Sequence, residues 1–321
     1  MVMNTQPNLW IVIPCYNEQE VLPLTAPLFL KELTQLIGTG KISSASKICF
    51  VNDGSTDKTW EIITALAQEY EQYEGISLSR NQGQQHALLA GLMEARKHCD
   101  ACISADCDGQ DDIHTISRMV TEYLAGYDVV YGVHSKREAD TVFKRMTAEG
   151  YYKVLAALGA DIVLNHADYR LLSVRALDGL AEFNEVNLFL RGLVPLIGYK
   201  STTVTYERSK RMAGEGHYPL AKMLMLAFDG ITSLSTKPIH FIVVLGMVFS
   251  LMGLIGSIWA IVSMCIDYAI PGWVSIICFI CLFGGLQLMA LGVIGEYIGK
   301  IYLEVKSRPR FIISERTWDN L

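Results

Sequence analysis

The sequence lacks a basic excess: 27 lysines and arginines stand against 33 aspartates and glutamates, for a formal net charge of −6. It also has no run of like charges long enough to act as an interaction tail. Both absences exclude the electrostatic footprint of a nucleic-acid-binding chain, so an anionic ligand must be met by local cations. No G-x-G-x-x-G follows the first apolar run, which removes the dinucleotide-binding reading. The opening segment, MVMNTQPNLWIVIPCYNEQE, has no basic stretch and no small-residue cleavage site ahead of its short apolar run. It reads as a first strand and not as a signal peptide. Of the 8 cysteines, Cys99/Cys102 and Cys278/Cys281 have C-x-x-C spacing. Neither pair has the context of a zinc or redox site, and both read as small hydrophobes.

What is present is apolar material, 51% of 321 residues, enough for a substantial core. Up to about residue 230 short apolar runs alternate with amphipathic segments, the signature of an α/β fold with a mostly parallel sheet. Strands are expected at 9–14, 47–53, 76–80, 101–106 and 128–133, with helices over 56–70 and 84–97. After residue 238 the composition changes. Residues 239–266 and 273–294 are almost free of charge and are separated by a short turn holding Asp267 and Pro271. Each is long enough to span a bilayer, so a C-terminal two-helix transmembrane hairpin is expected at about 239–266 and 273–298; two buried helices of a soluble core are the alternative. Lys222, Lys237, Lys300, Lys306, Arg308 and Arg310 lie on the domain side of this hairpin, so the positive-inside rule puts the domain and both termini in the cytoplasm. The resulting division is a domain at 1–218, an amphipathic segment at 219–237 that is either interfacial or an ordinary domain helix, the hairpin within 238–299, and a cytoplasmic tail at 300–321.

The strongest chemical signal is ADCDGQDD, which places Asp106, Asp108 and Gln110 at the C-terminal end of an expected strand. In open α/β sheets that edge binds ligands, and two carboxylates there make a hard-oxygen site for Mg2+ or Mn2+. An exposed acidic turn is the plain alternative. Two other strand ends point to the same crevice. One carries Pro14, Tyr16 and Glu18, with a ring that can stack. The other carries Asp53, which can accept hydrogen bonds from a base or ribose; the plain reading there is helix capping by Ser55 or Asp57 and a turn at Gly54.

IVIPCYNEQE, VNDGSTDKTWEII, SRNQGQQHALLAGL and ADCDGQDD, in this order, resemble the GT-A glycosyltransferases of family 2. DYRLLS, NLFLRGLVPLIGYK, YERSKRMAGEGHYPLAKMLMLAFDGITSLSTKP and LGVIGEYIGKIYLEVKSRPRF narrow the resemblance to bacterial polyprenyl-phosphate glycosyltransferases, nearest in pattern to bactoprenol glucosyltransferases of O-antigen or cell-surface glucosylation. It spans about residues 9–312. The resemblance implies that Pro14, Tyr16, Glu18 and Asp53 hold the uridine of a UDP-sugar, and that Asp106 and Asp108 meet metal and diphosphate with Gln110 beside them. It also implies that Arg137 belongs to a basic loop closing over donor and acceptor, and that Asp168 and Arg170 stand at the sugar end of the pocket. Arg191, Arg208 and Arg211 are then further phosphate cations, with Tyr218 near the membrane-facing acceptor mouth. Departures from the pattern are Cys107 for alanine or valine, Gly109 for leucine, and Ala167 for glycine; the last would shift a loop at Asp168.

The implied reaction is inverting transfer of a sugar, glucose from UDP-glucose first, to undecaprenyl phosphate at the plasma membrane. Mannose from GDP-mannose, or aminoarabinose from its UDP donor, is the alternative within the class; a membrane scaffold or lipid translocator is the alternative outside it. Gly284, Gly285, Gly292 and Gly295 would permit close helix packing between hairpins or subunits of a homo-oligomer.

Overall fold

The computed structural model describes residues 6–134, 166–186, 188–207 and 273–319, together with positions 239, 242–249, 251–253, 255 and 258. Strand β1 (Leu9–Cys15) leads through helix α1 (Leu22–Gly38) to β2 (Lys47–Asn52), α2 (Thr59–Glu69) and β3 (Tyr73–Leu78). Helix α3 (Gln84–Ala95), β4 (Ala101–Ser104), α4 (Thr115–Leu124) and β5 (Val129–His134) follow. Then come β6 (His166–Ser173), α5 (Val174–Ala181), α6 (Leu190–Leu196), β7 (Ser201–Tyr206), a long α7 (Trp273–Val305) and β8 (Ile313–Arg316).

One eight-stranded sheet runs β7-β5-β6-β4-β1-β2-β3-β8. Strand β1 pairs in parallel with β2 on one side and β4 on the other, while β6 runs antiparallel between β4 and β5. The five strands expected from the sequence are all present. The third is displaced, to Tyr73–Leu78, because residues 79–83 leave the ladder as a turn. Helix α2 starts three residues later than expected, because residues 53–58 are folded against the loop after β1.

The central strands are apolar throughout because both faces are covered. Leu9, Ile11, Ile13 and Cys15 of β1 join one apolar cluster, and Trp10 and Val12 join the other. Phe29 and Leu33 of α1 and Met119 of α4 cover the first face; Leu88 and Leu89 of α3 with Leu177 of α5 cover the second. A slip of β1 by one residue would exchange these two sets. Buried thiols fit the reading of the C-x-x-C pair as hydrophobes: Cys99 and Cys102 are both buried, and burial pushes the Cys99 thiol up to about 12.

Helix α7 is 33 residues long, and its residues 273–294 carry no charged side chain. Several of its side chains lie outside the described set, and among the described residues no helix is long and apolar enough to cross a membrane. The structure therefore does not establish the expected hairpin. Residues 313–316, assigned from the sequence to the tail, form an edge strand antiparallel to β3.

Gly91 lets α3 lie close on the sheet, since a Cβ there would meet Val12 Cγ1 at 2.4 Å and Val51 Cγ2 at 2.6 Å. Helix propensity favours alanine by about 1 kcal/mol, whereas overpacking costs roughly 1–3 kcal/mol. The clash wins because both neighbours are fully buried β-branched side chains. Gly91→Ala is expected to lower stability by a net ~1 kcal/mol in denaturant unfolding; a stabilised variant would show that the helix can lift away.

Candidate active site

Strand order reverses at β1, which places the loops after β1, β2 and β4 around one crevice at their carboxyl ends. The first two loops are laced together. Asn17, at φ 54, donates its N–H to Ser55 Oγ (3.0 Å) and accepts from Thr56 N–H at Oδ1 (2.9 Å). Glu18 N–H donates to Thr59 Oγ1 (2.8 Å) and Gln19 N–H to Asp57 Oδ2 (3.1 Å). Ser55 is thus a loop tie and not a helix cap, and the first turn of α2 is met by Asp57, which accepts from Thr59 N–H at 3.0 Å. This lacing fixes the backbone on either side of Tyr16, whose ring is 46% exposed at the crevice.

Asp53 is buried and engaged. Its Oδ1 accepts from Gln82 N–H at 2.8 Å and its Oδ2 from Gly83 N–H at 2.9 Å. Burial pushes its carboxyl above the ordinary value, more than the two amides lower it. Its immediate partner is therefore the loop after β3, a partner that sequence reasoning did not supply. The next residue, Gly54, has φ 62, and a Cβ there would lie 2.5 Å from the Arg80 carbonyl carbon. Only glycine fits that approach.

Asp106 follows β4 and is half-buried. Gln84, at the start of α3, donates Nε2–H to Asp106 Oδ1 at 2.8 Å. Burial first, then the charges of Asp111, Asp168 and Asp108, raise the Asp106 carboxyl to about 7, against a smaller lowering by Arg191. Asp108 Oδ1 accepts the backbone N–H of Gln110 at 3.0 Å, so Gln110 contributes its main chain to the turn. The two aspartates that follow are structural. Asp111 accepts from Tyr206 Oη–H at 2.8 Å, and Asp112 accepts from His114 N–H at 3.1 Å at the start of α4.

Among the described residues no three His, Cys, Asp or Glu side chains are grouped to hold a metal ion by themselves. The donor chemistry nonetheless suits a hard divalent cation that takes few protein ligands. Burial first, and then the neighbouring carboxylates, hold Asp106 towards its protonated form, and a cation would relieve the repulsive part.

Asp168 was expected in a loop, but it lies on β6 and is 5% exposed. Four donor atoms converge on its carboxylate: Arg170 Nη2 at 2.6 Å, Arg191 Nε at 3.2 Å and Nη2 at 3.0 Å, and Gln85 Nε2 at 3.2 Å. Arg170 is 2% exposed and also donates to the Leu190 carbonyl at 3.3 Å. The sequence reading set Arg170 beside Asp168 at the sugar end of the pocket; in the structure it is a buried partner of that carboxylate. Arg191 reaches the same carboxylate from α6, near enough for its charge to act on Asp106. Gln85 ties the set together, accepting from Leu190 N–H at 3.1 Å. Sequence reasoning assigned no role to Gln84 or Gln85; the available signal was two adjacent amides directly after Gly83, where a helix begins. Arg137, Arg208, Arg211 and Tyr218 lie outside the described residues.

The raised Asp106 carboxyl has a stability consequence. Between its ordinary value of 3.8 and about 7 the folded state binds the proton more tightly than the unfolded state does, so stability falls as pH rises through that window. In metal-free buffer, Asp106→Asn is expected to be more stable than the native chain at pH 8 by on the order of 1–2 kcal/mol, the gain vanishing near pH 4. Thermal unfolding at the two pH values checks this; a gain that does not change with pH would remove the electrostatic cause.

Residues 10–180 match Glycosyl transferase family 2. The uncharacterised glycosyltransferase YkoT of Bacillus subtilis (strain 168) is 46% identical over 309 residues, covering 96% of this chain and 92% of YkoT. The bactoprenol glucosyl transferase of Shigella phage SfX is 36% identical over 308 residues, covering 95% of this chain and 98% of its own. Among solved structures, glucosyl-3-phosphoglycerate synthase from Mycobacterium tuberculosis, in complex with Mn2+, UDP and phosphoglyceric acid, aligns with a TM-score of 0.47 at 16% identity, covering 71% of this chain and 77% of that one. With more than half its length matched and full-length relatives above 30% identity, the chain belongs to glycosyl transferase family 2.

Proposed function

We propose that the chain transfers a sugar from a nucleoside diphosphate donor, UDP-glucose first, to the phosphate of a polyprenyl lipid, inverting the anomeric carbon. The observation that carries the reading is the half-buried Asp106, which follows β4 where the strand order reverses and is gripped by Gln84 on one oxygen, with burial first and then neighbouring carboxylates raising it to about 7. Asp106 and Asp108 would hold Mg2+ or Mn2+, which supplies the positive charge that a diphosphate leaving group needs. The acceptor is supported by the phage SfX relative, named for bactoprenol, whose match takes in 95% of this chain and so extends well beyond the family 2 segment.

The chain's own residues divide the remaining work. Tyr16 offers a ring to the base, and Asp53 braces the loop that begins α3. Gln84 fixes one oxygen of Asp106, and Asp168 holds Arg170 and Arg191 beside the carboxylates. A lipid monophosphate has a second pKa of about 6 and is already a nucleophile at neutral pH. One of its oxygens bonds to the anomeric carbon as the bond from that carbon to the β-phosphate oxygen breaks, and the nucleoside diphosphate leaves. No general base is required, so Asp168 serves as the arginine anchor. Arg137, Arg208 and Arg211 would supply further screening between the two anions.

The anchor follows from the acceptor. A polyprenyl chain leaves the bilayer at a cost of roughly 0.8 kcal/mol per methylene, so the enzyme must come to the lipid. At about 1.5 Å per residue α7 is ~50 Å long, against a hydrocarbon core of ~30 Å. The described parts before residue 208 and after residue 307 belong to one compact unit, so any crossings between them must be even in number. Two spans, near 239–266 and 273–298, would satisfy this, and the flanking lysines and arginines support a cytoplasmic catalytic unit.

Membranes containing the protein, incubated with radiolabelled UDP-glucose, undecaprenyl phosphate and Mg2+ or Mn2+, are expected to yield labelled lipid. Folded protein that labels no lipid from any nucleotide-sugar would overturn the proposal. Asp108→Ala is expected to reduce transfer by roughly 10²–10³-fold with membrane insertion intact; activity within a few-fold of the native chain would remove the metal role.

A further inference from the structure

The segment that follows α7 returns to the catalytic unit and is bound there along its length. Ile76 pairs with Arg316, Ser77 with Glu315 and Leu78 with Ile313, and Ser314 Oγ–H donates to the Ser77 carbonyl at 3.0 Å. At the far end Thr317 exchanges hydrogen bonds with Gly75 at 3.0 Å in both directions. Side chains reinforce the ladder. Arg316 Nε meets the buried Glu94 at 3.3 Å, Trp60 Nε1–H donates to Glu315 at 3.2 Å, and Arg310 donates to the Phe183 carbonyl at 2.6 Å. Phe311, Ile313 and Trp318 pack on the apolar cluster that α3 covers.

The ladder does not stop where β3 ends. Ser79 N–H donates to the Ile312 carbonyl at 2.9 Å, so the tail also holds the first residue of the loop that leads into α3. The opposite side of that loop is held by the Asp53–Gly54 turn, through the Gln82 and Gly83 amides and the close approach to Arg80. Directly after it come Gln84, on Asp106, and Gln85, on Asp168. A loop with no helix or strand of its own is ordered only by what grips it, and this one is gripped from two sides.

We infer that strand β8 is a positioning element for the donor pocket: it clamps residues 79–85 from the outer edge of the sheet and thereby fixes Gln84 and Gln85 against Asp106 and Asp168. The identity of the ligand rests on the activity proposed above; the mechanical coupling does not. Residues distant in sequence from every carboxylate of the site then control donor affinity without touching the donor.

The test uses the full chain in lipid nanodiscs, comparing the native protein with Ile313→Ala and Trp318→Ala by hydrogen exchange and by UDP-glucose binding in Mn2+. Exchange of the 79–85 amides is expected to quicken and donor affinity to fall, each by about tenfold, the size of one net hydrogen bond. Protection of β1 and β2 stays unchanged. The inference is overturned if residues 312–317 exchange faster while 79–85 remain protected, or if all strands lose protection together. If the native chain binds no nucleotide-sugar, the activity reading fails and the exchange measurement alone decides the coupling.

Discussion

The parallel pairing of β1 with β2 on one side and β4 on the other is the constraint on which the rest depends. It forces three connecting loops to leave the sheet at one edge, two of them laced by Asn17, Ser55, Thr56 and Asp57. Because β1 is buried on both faces by different helices, this register cannot slip without turning Ile11 and Ile13 away from their cluster. Packing far from the site thus sets where the carboxylates emerge.

Those carboxylates are treated in three different ways. Asp53 is met by two backbone amides, Asp168 by two guanidinium groups and an amide side chain, and Asp106 by a single glutamine amid other negative charges. The first two are thereby committed to shaping the protein. The third is half-buried among like charges, which costs stability and is what a bound cation would relieve. Strain of this electrostatic kind at a ligand site is the expected compromise between stability and function.

The parts of the fold visible in sequence were those with uninterrupted apolar runs. Strands β1, β2, β4 and β5 are of this kind. Strand β6 was hidden because its run is broken by Asp168 and Arg170, a buried ion pair whose members each look like surface residues until they are seen together. Strand β7 is four-sixths threonine and serine, and β8, reading Ile-Ser-Glu-Arg, sits at an edge where polar side chains are tolerated. The aspartates at strand ends were legible because residue type and position agree. What each carboxylate pairs with was not, since the partners Gln82, Gly83, Gln84 and Gln85 come from a loop whose placement depends on a strand about 230 residues later.

That distance has a bearing on synthesis. Strand β8 is made after β7 with roughly 100 residues between them, which at about 5–20 residues per second is a delay of ~5–20 s. Throughout that interval β3 is an open sheet edge, with unpaired main-chain donors and acceptors able to join a second chain. Only after the long apolar segment has been made does the short, polar β8 take over as the edge. Until residues 312–317 are made, β3 lacks its antiparallel partner and Ser79 its hydrogen bond to the Ile312 carbonyl, so the loop ahead of α3 waits on residues about 230 positions later in the chain.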